Sequence, residues 1–122
     1  MGTDLEYLEE FIDVDDLMKR CMGNIDFATH IVDVLSERCE ADMREMEQAL
    51  SEDNVRQVAT VSHRLKGALS SAAAHGLSHR ADELCNSANR NSPAEMSSCL
   101  EGLRIEWNQL ASLISNQGTP ES

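Results

Sequence analysis

Aromatic side chains make up only 3% of the 122 residues, prolines number two, and the 10 basic residues are outnumbered by 22 acidic ones. No basic stripe with interleaved aromatics occurs, and an acidic field opposes a phosphate backbone, so direct nucleic-acid binding is not expected. No apolar run exceeds a few residues, so no segment is suited to span a membrane. The start, Met1 to Glu6, has neither the basic flank nor the apolar stretch of a secretory signal. Gly2 does not fit the myristoylation pattern, because Glu6 stands where Ser or Thr is required. The cysteines, Cys21, Cys39, Cys85 and Cys99, include no Cys-x-x-Cys pair, so nothing indicates a structural zinc or a redox centre. They read as reduced thiols acting mostly as small apolar side chains. Gly-rich phosphate loops, nucleophile elbows and paired catalytic carboxylates are also missing. The expectation is one soluble, cytoplasmic domain over residues 1–122 with no intrinsic cofactor or metal.

What is present is an ordinary globular balance, 41% apolar and 26% charged, in a length suited to a single core. The acidic excess is confined to residues 1–53, with 16 acids against 4 bases; residues 54–122 hold 6 of each. Apolar positions recur at three- and four-residue steps in four long segments. Ala28, Ile31, Leu35, Cys39, Met43, Met46 and Leu50 form one stripe, with Asn24 as its cap. Val55, Val58, Ser62, Leu65, Leu69 and Ala72 form the next, with the Ser51-Glu52-Asp53 cluster expected to end one helix and cap the other. Leu77, Ala81, Leu84 and Ala88 form a shorter third. Met96, Leu100, Leu103, Trp107, Leu110 and Ile114 form the last, after Ser92, Pro93 and a capping-box Glu95. A short amphipathic piece from Val14 to Cys21, capped by Asp13, precedes them, and Leu5, Leu8 and Phe11 suggest a further turn. No period-two alternation suggests strands. The reading is all-α: an antiparallel up-and-down four-helix bundle with a short additional N-terminal helix and a flexible tail over residues 116–122.

A bundle says nothing of function, so the polar residues of the third helix carry the weight. With its stripe facing inward, His63 falls about 120° from the centre of the apolar arc, at its edge and facing outward. Lys66 and Ser70 lie one and two turns on, Gly67 one turn on and slightly further out, and Ala59 one turn before. Glycine in mid-helix costs roughly 0.5–1 kcal/mol relative to alanine. A local rule broken in this way commonly marks a functional surface. An accessible imidazole, a cleared flank and a nearby ammonium together suit a phosphoryl acceptor.

Ser62-His63-Arg64-Leu65-Lys66-Gly67-Ala68 resembles the signature of the histidine-containing phosphotransfer (HPt) domain, Ala-His-x-Leu-Lys-Gly followed by small residues. The similarity continues through Ala74, Leu77, Ala81 and Leu84, and upstream through Val14 to Arg20 and Gly23-Asn24, spanning roughly residues 13–115. Ser62 replaces the usual alanine, and Ala73 stands at a usual glycine, so the loop after the third helix is expected to begin later, at Gly76. The resemblance implies that His63 takes a phosphoryl group from one receiver-domain aspartate and passes it to another. It makes Lys66 the electrostatic stabiliser and Gly67 the clearance for docking, with Arg64, Ser70 and Ala59 around them at the partner surface. Receiver domains and a sensor or hybrid histidine kinase are the implied partners, the receiver supplies Mg²⁺, and the chain itself is a monomeric carrier, not a kinase.

Other readings are weaker. A histidine-kinase dimerisation domain continues His-Glu or His-Asp with a proline soon after, whereas Arg64 follows here and no proline comes before Pro93. A helical adaptor that binds receivers or kinases unphosphorylated is the runner-up, disfavoured because it has little reason to keep His63, Lys66 and Gly67 together. His75 and His79 have metal-ligand spacing but no third ligand, and read as solvent-facing; His30 reads as a boundary residue. Met18, Met22, Met43, Met46 and Met96 read as gap-filling core, with Trp107 as an anchor.

Overall fold

In the computed structural model, which describes residues 5–118, a 3-10 turn at Glu6–Leu8 is followed by five helices. These are α1 (Val14–Arg20), α2 (Ile25–Ser51), α3 (Val55–Ser71), α4 (His75–Asn89) and α5 (Pro93–Gly118). No strand occurs among the described residues. The stripes read from the sequence turn inward: Leu35, Cys39, Met43, Met46, Leu65, Leu69, Leu77, Leu84, Leu103 and Trp107 are all buried in one core. Val32, Ala49 and Val61 are buried as well, while Ile31, Leu50, Val55 and Ile114 are only half-buried. The stripes were drawn too narrow because α2 packs on both α3 and α5, and a helix with two neighbours buries a wider arc. Met22 departs from its expected core role: it is 92% exposed, in the turn between α1 and α2. Met18 is half-buried.

Cross-helix pairs set the directions. From α2 to α3, Asp42 meets Arg64 and Glu45 meets Gln57; from α3 to α4, Ala59 meets Cys85 and Lys66 meets Asp82. From α4 to α5, Arg80 meets Glu106 and, at the turn that joins them, Arg90 meets Glu95; from α2 to α5, Glu47 meets Arg104 and Glu40 meets Trp107. In each pair of helices one number rises as the other falls, so α2 to α5 run antiparallel and α5 closes back on α2. The expected four-helix bundle is thereby formed. Buried Trp107 donates its indole N–H to Glu40 Oε2 at 2.7 Å, which satisfies a polar atom that the core otherwise leaves unpaired.

The chain reverses the same way at all four junctions. Met22, Asp53, Ala73 and Asn91 each have positive φ, between 52° and 61°. At each, the next amide donates five residues back: Gly23 to Met18, Asn54 to Ala49, Ala74 to Leu69, Ser92 to Ser87. This is the left-handed helix stop that usually takes glycine, made here by other residues. Two expectations are corrected as a result. Asp53 is consumed by the stop of α2, so the cap of α3 is Asn54, whose Oδ1 accepts from the Gln57 amide at 3.1 Å. Ala73 adopts the left-handed conformation itself, so the loop comes where the resemblance puts it, and Gly76 lies inside α4. Asp13 and Asn24 cap α1 and α2 as expected. Glu95 instead accepts from Arg90. The last helix runs on through Gly118, past the expected start of the tail at residue 116; residues 119–122 lie outside the described residues.

The N-terminal segment closes one end of the bundle with buried Leu5, Leu8, Ile12, Val14 and Leu17. It also secures the end of α3. Arg20 Nη1 donates to the Ser70 and Ser71 carbonyls at 2.9 and 3.3 Å, favourable positions for a cation at a helix C-terminus. The amide of Asp13 donates to Ala73 O at 2.9 Å. Asp16 accepts from Arg20 Nη2 and lies 3.3 Å from His75 Nε2. The Arg20 hydrogen bond, more than the His75 contact, holds the Asp16 carboxyl below its ordinary range.

Candidate functional site

His63 is the middle residue of α3. It is preceded by Val61 and Ser62, which are fully buried, and followed by buried Leu65 and Leu69. That burial fixes the rotation of the helix and leaves the His63 side chain exposed. Ser62 is accommodated in the core because its hydroxyl donates to the Val58 carbonyl at 2.7 Å, one turn back. Among the described residues the His63 ring has no hydrogen-bond or ion-pair partner, whereas His75 and His79 each face a carboxylate, of Asp16 and Glu83 respectively.

Gly67, one turn on, has open space around it: a Cβ built there meets nothing within 4 Å. Nothing in this chain's own packing therefore requires glycine at that position. Beyond it, Ala68, Ser71 and Ala72 line one side of an apolar groove whose other side is Ile31, Val34 and Leu35 of α2. Val34 and Phe27 are large apolar side chains left about half exposed on the same helix. His30 and Arg38 stand at the groove's margin, so His30 is exposed at a surface feature and not simply at a core boundary.

The basic neighbours of His63 are turned elsewhere. Lys66 Nζ lies 3.0 Å from Asp82 Oδ1 on α4, and its carbonyl accepts from Ser78 Oγ at 3.1 Å. The expectation of an ammonium standing free beside the ring is corrected accordingly: an unmodified imidazole offers no anion, and the nearest carboxylate holds the charge. Arg64 Nη2 reaches α2, 2.7 Å from Asp42 Oδ1 and 3.1 Å from Glu45 Oε1. The hydrogen bond to Asp42 is the main cause of its raised pKa. Asp42 is buried, and its second oxygen has no hydrogen-bond partner among the described residues. Ser70 is exposed, with its carbonyl held by Arg20. Ala59 is half-buried, and its carbonyl accepts from Cys85 Sγ at 3.6 Å.

The sequence reading placed His63, Lys66, Gly67 and Ser70 on one flank of α3; all four lie in that helix, with His63, Gly67 and Ser70 exposed and the Lys66 ammonium turned to α4. It missed Asp82 and Ser78 on α4. Their four-residue spacing marks them as one helical face, but only the approach of α4 to α3 directs that face at Lys66. Among the described residues, Asp13, Asp16 and His75 form one group with ligand atoms within 4.8 Å of one another. The Arg20 guanidinium already lies 2.9 Å from Asp16. His75 and His79 are both exposed, as read from the sequence, and their rings face different carboxylates, of Asp16 and Glu83. Cys21, Cys39 and Cys85 are buried and all four cysteines are free, as small apolar side chains should be; burial pushes the Cys39 thiol up to about 12.

The molecule is thus an antiparallel helical bundle displaying the imidazole of His63 unengaged at the middle of an outer helical face. The Hpt domain family model matches residues 30–115, and the chain belongs to that family, whose members are phosphotransfer carriers of two-component signalling. The match begins inside α2, so the resemblance noted over α1 and the first turn lies outside it. Neither the curated proteins nor the solved structures give a match to the chain. No helix among the described residues is long and apolar enough to cross a membrane.

Proposed function

We propose that the chain relays a phosphoryl group between receiver-domain aspartates through His63. The observation that carries this reading is Gly67: a mid-helix glycine with empty space where its side chain would be, one turn from an exposed, unpartnered histidine. A helix gains by replacing such a glycine, so its value lies in what approaches from outside. In the forward step an imidazole nitrogen attacks the phosphorus of an aspartyl phosphate. The N–P bond forms as the acyl O–P bond breaks, the receiver carboxylate departs, and the ring gives up its N–H proton. Transfer to the second receiver is the reverse.

Within this reading the chain supplies a nucleophile on a helix whose opposite face is buried in the core, so that little reorganisation is needed on docking. The partner settles over Gly67 and along the apolar groove between α2 and α3, with Ala59, Ser70 and Arg64 at its margins. Lys66 neutralises the loaded dianion. The receiver brings the Mg²⁺, and the chain holds no cofactor of its own. We place it in the cytoplasm as a monomeric carrier, loaded from a sensor or hybrid kinase by way of a receiver.

The test is incubation with a phosphorylated receiver, followed by a search for acid-labile, base-stable phosphate on this chain. His63→Gln is expected to abolish the label while keeping the helical circular dichroism. A label that survives that substitution overturns the site. Failure of a panel of receivers to label the wild type, with binding retained, favours the unphosphorylated adaptor.

A further inference from the structure

Lys66 is tied to α4 at both ends, its carbonyl by Ser78 and its ammonium by Asp82. Lysine reaches a helix neighbour three residues away, where Cβ atoms stand about 5–6 Å apart; His63 is that neighbour on α3, and Asp82 faces the same ammonium from α4. No other charged side chain pairs with Lys66 among the described residues, and Arg64, the adjacent cation, is held on α2 by two carboxylates. One mobile cation therefore lies within reach of two sites, Asp82, which is always negative, and His63, which becomes so only when loaded. Both partners of the pair are partly exposed, with side-chain accessibilities of 41% and 37%, so the pair is weak and exchangeable.

We infer that Asp82 is a positioning residue for phosphotransfer: it parks the Lys66 ammonium on α4 while His63 is unmodified and yields it when a phosphoryl group arrives. A phosphoryl group carries close to two negative charges at neutral pH against the single charge of Asp82, so it competes successfully at similar distance. The parking has one consequence: loading must displace a carboxylate, which makes the loaded state less stable and the carrier readier to give up its group.

This inference rests on His63 as the acceptor, and its test keeps the two apart. Potassium phosphoramidate loads exposed histidines without any receiver: its P–N bond breaks, ammonia leaves, and an imidazole N–P bond forms with loss of the ring proton. The full chain is loaded in this way, and the ³¹P signal that His63→Gln removes is followed through a pH titration. In Asp82→Asn the bound phosphoryl group is expected to hold its proton about two- to fivefold more weakly than in the wild type, the range of an exposed ion pair. Asp82→Glu should restore wild-type behaviour. In a Lys66→Ala background the effect of Asp82→Asn should shrink to less than half, because the cation through which it acts is gone. An unchanged midpoint in Asp82→Asn, or an equal shift with and without Lys66, overturns the inference and leaves the relay standing. Absence of any signal assigned to His63 overturns the acceptor assignment and the inference with it.

Discussion

Replacing Gly67 should move stability and transfer in opposite directions. The position lies in the interior of α3, four residues before its end, and an added Cβ meets no atom within 4 Å. Gly67→Ala therefore carries no steric cost and recovers the helix-propensity difference, about 0.8–1.0 kcal/mol. For a domain of this size that raises Tm by roughly 3–6 °C, read as loss of far-ultraviolet circular dichroism on heating. Gly67→Leu should keep most of that gain, since leucine ranks close to alanine in helices. At a docking surface the same side chain is an intrusion. Overpacking a fitted contact costs about 1–3 kcal/mol, which slows transfer from a phosphorylated receiver about 5- to 150-fold. The assay is single-turnover transfer at sub-saturating receiver. Two results would refute the reasoning: a lowered Tm for Gly67→Ala, which means that the glycine serves this chain's own packing, or full transfer rates for Gly67→Leu, which means that nothing docks across it.

Other consequences follow from the junctions, the acidic end and the core. Met22 has φ 55° and is 92% exposed, so Met22→Gly relieves a left-handed strain without losing packing and should stabilise by about 1 kcal/mol in urea unfolding. Asp16 has its carboxyl pKa lowered from 3.8, chiefly by Arg20. Its contribution to stability is present above that value and disappears as pH falls through the lower folded value, so the urea midpoint of Asp16→Asn should differ from wild type at pH 7 and converge with it in strong acid. Cys39, with a buried thiol raised to about 12, should resist a thiol reagent at pH 8 until the protein unfolds, while half-buried Cys99 reacts in the folded state.

Much of the site was legible before any coordinates, because helical spacing is a property of the chain itself. Once Val58, Ser62, Leu65 and Leu69 are recognised as an inward stripe, a rotation of ~100° per residue puts His63 outside and Gly67 beneath it. The helix stops were not legible. Asp53 read as a cap because acidic side chains do cap helices, yet the left-handed turn took it and passed the role to Asn54. Ala73 occupies a usual glycine position, but an alanine there read as moving the loop onward; burial of its neighbours in the α3–α4 turn imposes the glycine-like conformation on it. Met22 was misplaced for a related reason: its hydrophobicity suits a core, but the reversal after α1 leaves it outside.

Periodicity and short motifs are carried by neighbours a few positions apart, so the amino-acid order alone determined the helices, their inward faces and the outward histidine. Pairing across helices depends on how wide an arc each helix buries and how the turns orient it, and those are settled by packing. Hence the tertiary structure alone decided that Lys66 rests on Asp82, that Arg64 is drawn to Asp42, and that an apolar groove opens beside Gly67. Charges separated by 16 and 22 positions meet only when the core that brings their helices together has formed.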